Sequence, residues 1–499
     1  MRRGETGGDA GVFVAWCGGY GVDSFFFIKL WLGVKKTKKQ FVRVDSKIMY
    51  VNHSHHTPRE PATSFFYVPP QNTPYRTAEN VMDRDYEVRT TGNHDPTHHK
   101  YPPQIKPAAP ALAAEKPAPY AYFDNAASAP VTTEVLDAMI PVFTDSFANP
   151  EASHGAGKDA RDTMEAHRSS IADALHVSAD EIYFTSGASE SINAFIRGVT
   201  HSNCHRHRTK LVTSTIEHKA VSATCADLQS EGYEVVQVPV DANGLLDLDA
   251  LQAAVGHDTL LVCVIMANNE IGVIQPMAEI AAITHAMGAL LFSDTTQIVG
   301  RLHLFPRTTG IDALSISGHK IHGPKGIGAL YMSSQIDCAP IITGGHQERG
   351  QRAGTSNTPG ITGLATAIRH NLSAAGQQNQ KGVKQMRDWI EAQLRRLNPN
   401  VRVHCSRVPR LNNISSVEIY TTRGVPIETA DIMQYLNKAR VIVNTGSACN
   451  AGTDGSDVLR AIGLSPDAQS CTIRISLSEL NTWDECSYLV RVLGELMSQ

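Results

Sequence analysis

At 499 residues the chain is longer than one hydrophobic core usually serves, so at least two folded units are expected. Its 42% apolar and 19% charged residues are ordinary for a globular protein, and a formal charge of −4 leaves no basic excess for nucleic acid. Nine cysteines without a C-x-x-C pair argue against structural zinc or a disulfide framework, so no metal is expected.

Residues 1–118 read as an N-terminal extension, largely disordered. An apolar stretch, Phe25 to Val34, is followed by the basic run KKTKK, and Asn52 to Pro119 is rich in His, Pro, Thr and Asn. Three readings compete for its start. A mitochondrial presequence leads, because basic residues dominate Lys29 to Lys47, although Glu5, Asp9 and Asp23 are unwelcome there. A membrane anchor is cut short by Asp23 and Lys29, so no membrane contact is expected of the mature domain. The third leaves the start out of the mature protein, with Met49 as the true start. The alternative to a mitochondrial location is a cytoplasmic one.

From residue 119 to 368 short apolar runs alternate with helical patterns, as in a larger domain. Residues 159–175 form an amphipathic helix with Met164, Ile171, Ala174 and Leu175 on one side. EIYFTSG is a strand ending in a turn, and SESINAFIRGV a helix. KLVTST is a strand, followed by a helix that Gly232 stops. TLLVCVIM, ALLFSD and DALSIS are further strands. Such alternation predicts an α/β fold with a mostly parallel sheet covered on both faces. Residues 369–499, opening with a long helix from Gln377 to Leu397, read as a smaller α/β domain. Cys263 and Cys471 sit in strand-like runs as small apolar fillers.

Ligands of parallel sheets bind beyond the carboxyl ends of the strands, and the unusual residues cluster there. Ser186-Gly187-Ala188-Ser189 joins a strand to a helix, offering backbone N–H groups and a hydroxyl to a phosphate. Asp294 ends the strand ALLFSD. Lys320 follows DALSIS in SGHKIHGPKGIG, where Gly318 and Gly323 permit a tight turn. Each feature alone is commonplace, as a cap, a surface charge or a capping turn. Taken in order they are the parts of a pyridoxal 5'-phosphate site: a phosphate loop, an acid for the pyridine nitrogen and a Schiff-base lysine.

The segments YFDNAASAPV, NPEASH, FTSGASESIN, TSTIEHKAV, ANNEIGVIQP, SDTTQIVG, SISGHKIHGPKGIGALY, RAGTSNTP, NTGSAC and TIRISLS carry a resemblance. From Ala121 to about Leu493 the chain resembles the cysteine desulfurases, bacterial and mitochondrial, of the class V aminotransferase group. The resemblance implies the aspartate-aminotransferase fold (pyridoxal-phosphate fold type I), a homodimer, and conversion of L-cysteine to L-alanine. Lys320 would hold the cofactor and move protons, Asp294 would pair with the pyridine nitrogen, and His218 would stack on the ring. Asn269 and Gln297 would bond near the ring hydroxyl. Ala188, Ser189, Ser317 and His319 would bind the phosphate, with Thr355 of the second copy reaching in. Arg474 and Asn149 would clamp the substrate carboxylate, for which a guanidinium fork is suited.

Cys449 lies in TGSACNAGTDGSD, too polar and Gly-rich for a core segment. A thiol there is placed to attack the substrate sulfur and leave as a persulfide, feeding iron–sulfur cluster or thiolation pathways. Three departures from the family stand out. Its D-A-T-Q becomes Asp294-Thr295-Thr296-Gln297, GGHQERGQRAGT carries one extra residue, and the chain stops at ELMSQ without the scaffold-docking tail. The last feature leaves the sulfur-acceptor protein unidentified. Alternatives are a selenocysteine lyase, another pyridoxal-phosphate reaction such as transamination, and a non-catalytic scaffold. Retention of Lys320, Asp294, His218 and Cys449 together speaks against the scaffold.

Overall fold

The computed structural model describes residues 41–44, 47–50, 120–202, 204, 207–446 and 455–499. The presequence, anchor and mature-start readings otherwise fall on residues outside these, as does Cys449. By contacts the chain divides into two units, residues 1–106 and 107–499. In the first, β1 (Phe41–Val44) pairs antiparallel with β2 (Lys47–Tyr50), Phe41 opposite Tyr50 and Val44 opposite Lys47. The sequence reading gave this stretch no regular structure. Its aromatic and β-branched residues favour an extended backbone, and the neighbouring lysines masked that signal.

In the second unit, β3 (Ala121–Tyr122), β4 (Ile182–Thr185), β5 (Lys210–Ser214), β6 (Glu234–Val238), β7 (Thr259–Ile265), β8 (Leu290–Asp294), β9 (Ala313–Ser317) and β10 (Gly328–Met332) come first. β11 (Arg402–Val403), β12 (Ile414–Glu418), β13 (Val441–Ile442) and β14 (Thr472–Ser476) follow. The main sheet has seven strands in the order β4-β10-β9-β8-β7-β5-β6. Only β10 runs against its neighbours, so the other six deliver their carboxyl ends to one edge.

Alternation along the strands divides the core into two layers. Val212, Val262, Val264, Leu291 and Leu314 face one side, where helices Gly155–Leu175, Met277–Ala286 and Thr358–Leu372 lie over them. Leu211, Leu261, Cys263, Phe292 and Ala313 face the other, under helices Ala188–His201 and Lys219–Ser230. Because β7 and β9 are buried along their whole length, they read as unbroken apolar runs rather than alternating ones. Cys471 is buried at the end of helix Pro466–Ser470, one residue before β14 rather than within it.

A further core gathers the antiparallel sheet β11-β12-β14 under helices Ala374–Leu397 and Trp483–Met497. Ala121 and Phe123, read from sequence as part of the larger half, pack into this core. β3 pairs in parallel with β13, and Asp124 bridges to Ser476. The segment after β3 therefore leaves this core and runs to the carboxyl edge of the larger sheet, where the Ala126 carbonyl meets Gln297 and Lys320.

Candidate active site

Lys320 ends a tight 3-10 turn, Gly318–Lys320, that follows β9. A Cβ on Gly318 would lie 2.9 Å from the Pro324 carbonyl oxygen, so the turn closes only around glycine. The Lys320 amine donates to the carbonyls of Ala126 (2.7 Å) and Ala127 (2.8 Å), in the segment after β3. Burial pushes the amine down to about 8, helped by Arg474 and Arg301 and opposed by Asp294 and Asp124.

Asp294, at the end of β8, is buried, and Oδ1 accepts from Thr296 N (3.0 Å), Thr296 Oγ1 (2.5 Å) and Ser315 Oγ (2.9 Å). All three bonds go to one oxygen. The unusual Thr295 is accommodated without a buried orphan, because its hydroxyl donates to the Ser315 carbonyl at 2.8 Å. Gln297 donates to the Ala126 carbonyl at 3.0 Å, while its Oε1 is buried without a partner.

His218 caps helix Lys219–Ser230, its Nδ1 accepting from Ala220 N at 3.1 Å. The neutral ring therefore carries its proton on Nε2. Burial lowers its pKa, with Lys320 adding to the effect and Asp294 opposing it. Glu217, missed from sequence, is a second buried carboxyl beside this ring. Oε1 accepts from Ser214 Oγ (2.5 Å) and Ile265 N (2.8 Å), and Oε2 is sealed without a partner. Desolvation raises it to about 8 against those two bonds, so it is neutral at pH 7. Asp294 adds to the rise.

At the phosphate end, Gly187 takes φ 154° and releases the chain into helix Ala188–His201, whose first N–H groups have no intrahelical partner. Ala188 is half-buried and Ser189 exposed there. Ser317 is buried at the end of β9, and His319 lies 3.3 Å from Ser128 Oγ, its pKa lowered to about 4 by burial and by Lys320 and Lys325. Glu190 accepts from Ser186 N (2.9 Å) and from Arg352 Nε (2.9 Å), joining the phosphate loop to the segment that carries Thr355. Thr355 itself is exposed. The GGHQERG stretch ahead of it places Glu348 and Arg349 in left-handed backbone, a strain on the order of 1–3 kcal/mol each. Offsetting this, Glu348 accepts from both Arg168 terminal nitrogens (2.7 and 2.9 Å) and from Phe184 N (2.8 Å).

At the substrate end, Arg474 on β14 is 2% exposed. Nη1 donates to the Asn269 carbonyl at 2.9 Å, Nη2 donates to Asp124 Oδ1 at 2.7 Å, and Nε is buried without a partner. Asp124 Oδ2 accepts from Asn444 Nδ2 at 2.9 Å. Asp124, within YFDNAA, has no role implied by the sequence; an acid amid apolar residues is the one signal it leaves. Asn149 is exposed, and its side-chain oxygen accepts from Glu151 N at 2.9 Å rather than facing Arg474 in any described hydrogen bond. Cys449 falls in 447–454, outside the described residues, but the flanks are placed. Gly446 and Ser456 both lie against buried Glu270, which accepts from Ser456 Oγ at 2.5 Å. Asp457 pairs with Lys219, next to His218.

These groups fit pyridoxal phosphate. A primary amine of lowered pKa, a buried carboxylate, an imidazole cap, a helix N-terminus and the orphaned Gln297 Oε1 are the donor set that cofactor uses.

A family model described as Aminotransferase class-V matches residues 121–489. A cysteine desulfurase IscS of Methanosarcina thermophila is 37% identical over 380 residues, 76% of this chain and 92% of that protein. A cysteine desulfurase of Sinorhizobium fredii is 39% identical over 383 residues, 76% and 96%. Among solved structures, a NifS-like protein matches with TM-score 0.69 at 33% identity, covering 76% of this chain and 99% of its own. SspA in complex with cysteine matches with TM-score 0.63 at 34% identity, covering 72% and 99%.

Proposed function

Because the chain belongs to the cysteine desulfurases of the class V aminotransferase family, which depend on pyridoxal phosphate, we propose that it removes sulfur from L-cysteine, releases L-alanine and receives the sulfur on Cys449. The observation that carries this reading is Arg474: a buried guanidinium whose Nε has no partner, brought from the smaller sheet close enough to act on the Lys320 amine of lowered pKa. Arg474 Nε and the adjoining Nη2 offer a side-on fork to the substrate carboxylate, while Asp124 and the Asn269 carbonyl hold the group in plane. Bound pyridoxal phosphate supplies an electron sink that makes the substrate Cα–H acidic. Lys320 would hold it and, as the free amine, would carry the Cα proton; burial favours the neutral form of that amine. His218, neutral with its proton on Nε2, would stack on the cofactor ring and offer that N–H as a hydrogen-bond donor. Ala188, Ser189, Ser317 and His319 would hold the phosphate, and Asp294 the ring nitrogen. The Cys449 thiolate attacks the substrate sulfur; the new S–S bond forms as the Cβ–S bond breaks, and the electron pair stays with carbon.

We further propose a homodimer in which Thr355 of each copy completes the other's phosphate site. Supporting this, Leu136, Ile140, Phe143 and Phe147 form an exposed apolar stripe along helix Thr133–Thr144 and beyond it. Light scattering of wild type and Phe143→Asp checks it, the variant shifting toward the mass of one chain. The activity is tested with holoenzyme, L-cysteine and L-selenocysteine, followed by mass analysis of the cysteine-bearing peptides. Alanine production from cysteine with one extra sulfur on Cys449, absent in Cys449→Ser, is the expected result. A preference for selenocysteine by orders of magnitude, or sulfur on another cysteine, would overturn it.

A further inference from the structure

Arg301 packs against the backbone of the lysine turn. It follows Gly300 in SDTTQIVGRL, where φ is +83° and a Cβ would come within 2.9 Å of Ile321 Cδ1. The two segments thus touch immediately after Lys320, and only glycine lets them. Arg301 is buried, and its Nη2 donates to the carbonyl oxygen of Lys320 itself at 2.7 Å. Its Nη1 is buried with no partner. Arg301 lines a small cavity of about 10 Å³ together with Lys320, His322, Asn413 and Glu479, and Asn413 Oδ1 is likewise buried and unpartnered. Glu479 is the acid nearest in effect, opposing the fall in Arg301's pKa that burial causes, but it is also engaged by His370 at 3.4 Å and by Asn379 at 2.8 Å. A charge so placed is only partly neutralised.

A buried cation bound to a lysine's own carbonyl acts on that lysine in two ways. The hydrogen bond fixes the backbone from which the side chain projects. The charge, in a medium of low polarisability, disfavours a second positive charge nearby. We propose that Arg301 is a positioning residue for Lys320, holding its turn and biasing its amine toward the neutral, nucleophilic form. This rests on Lys320 being the residue that takes the cofactor. The other charges facing Lys320 are Arg474 from β14, which acts in the same sense, and Asp294 from β8 and Asp124 after β3, which oppose it. The imidazoles of His218 and His319 are neutral neighbours, both held down by burial and by Lys320. The charge of Arg474 would be offset by the substrate carboxylate, whereas Arg301 keeps its bond to the Lys320 carbonyl.

The test uses cofactor-free protein. Trace acetylation with acetic anhydride over a range of pH, with mass analysis of the peptide containing Lys320, gives the pH at which that amine half-reacts. Wild type should show a midpoint near about 8. Arg301→Met should move it upward by about half a unit or more, and Arg301→Lys, which keeps a charge, should move it less. Arg301→Gln carries the same expectation as Arg301→Met should the latter not fold. A folded neutral variant with the wild-type midpoint would overturn the proposal, because a merely structural arginine leaves the titration unmoved. Borohydride fixation of pyridoxal phosphate on a lysine other than Lys320 would instead overturn the reading of the site, so the two failures are distinguishable.

Discussion

The cofactor end and the substrate end of the site are built by different means. At the cofactor end, Asp294, Lys320 and the 186–189 turn project from strand ends of one seven-stranded sheet, Asp294 bonded within that sheet and Lys320 to the segment after β3. At the substrate end, Arg474 comes from the smaller sheet and is held by Asp124 and by the carbonyl of Asn269. One end is set by the geometry of a buried parallel sheet, the other by a chain of charges joining two cores. Substitutions at the first should therefore abolish chemistry, and those at the second should weaken cysteine binding while leaving the cofactor in place.

The largest effect is expected from Lys320→Ala, which should lower kcat by at least about 1,000-fold and remove the cofactor's linked absorbance. Retained absorbance at the same wavelength would mean that the cofactor end had been misassigned. Next comes Arg474→Gln, expected to raise KM for cysteine by about 50-fold, the loss of a charged bidentate contact, with the spectrum unchanged. A fall in kcat alone would erase the distinction between the ends. Asp124→Asn keeps the contact to Arg474 but removes a charge, and steady-state kinetics should show KM rising by only about 3–10-fold. The smallest effect concerns Glu217. Its folded pKa of about 8 exceeds its ordinary 4.5, so the folded protein holds a proton that the unfolded chain has released between those values. Stability accordingly falls as pH rises through that window. Glu217→Gln should remove that part of the slope in denaturant titrations and change stability at pH 5 by less than about 1 kcal/mol.

Much of the cofactor end was legible in the sequence, because strand ends, glycine turns and a helix N-terminus leave local signals. The runs around Asp294 and Lys320 are continuous and apolar since both faces of those strands are covered. The substrate end was legible only in part. Arg474 and Asn444 stand in segments that the family resemblance covers, yet their link through Asp124 spans more than three hundred residues and has no local signature. Glu217 and Arg301 escaped for another reason: each is a charged residue type that folding buries, and burial is decided by neighbours distant in sequence. Asn149 shows the opposite limit, since the motif implies a carboxylate contact while the structure turns its side chain to its own loop.

Reduction of the holoenzyme with borohydride, followed by mass mapping of the modified peptide, tests the placement of the cofactor most directly. The pyridoxyl group should be found on Lys320. Its recovery on Lys325, or on any lysine away from the β9 turn, would contradict the account.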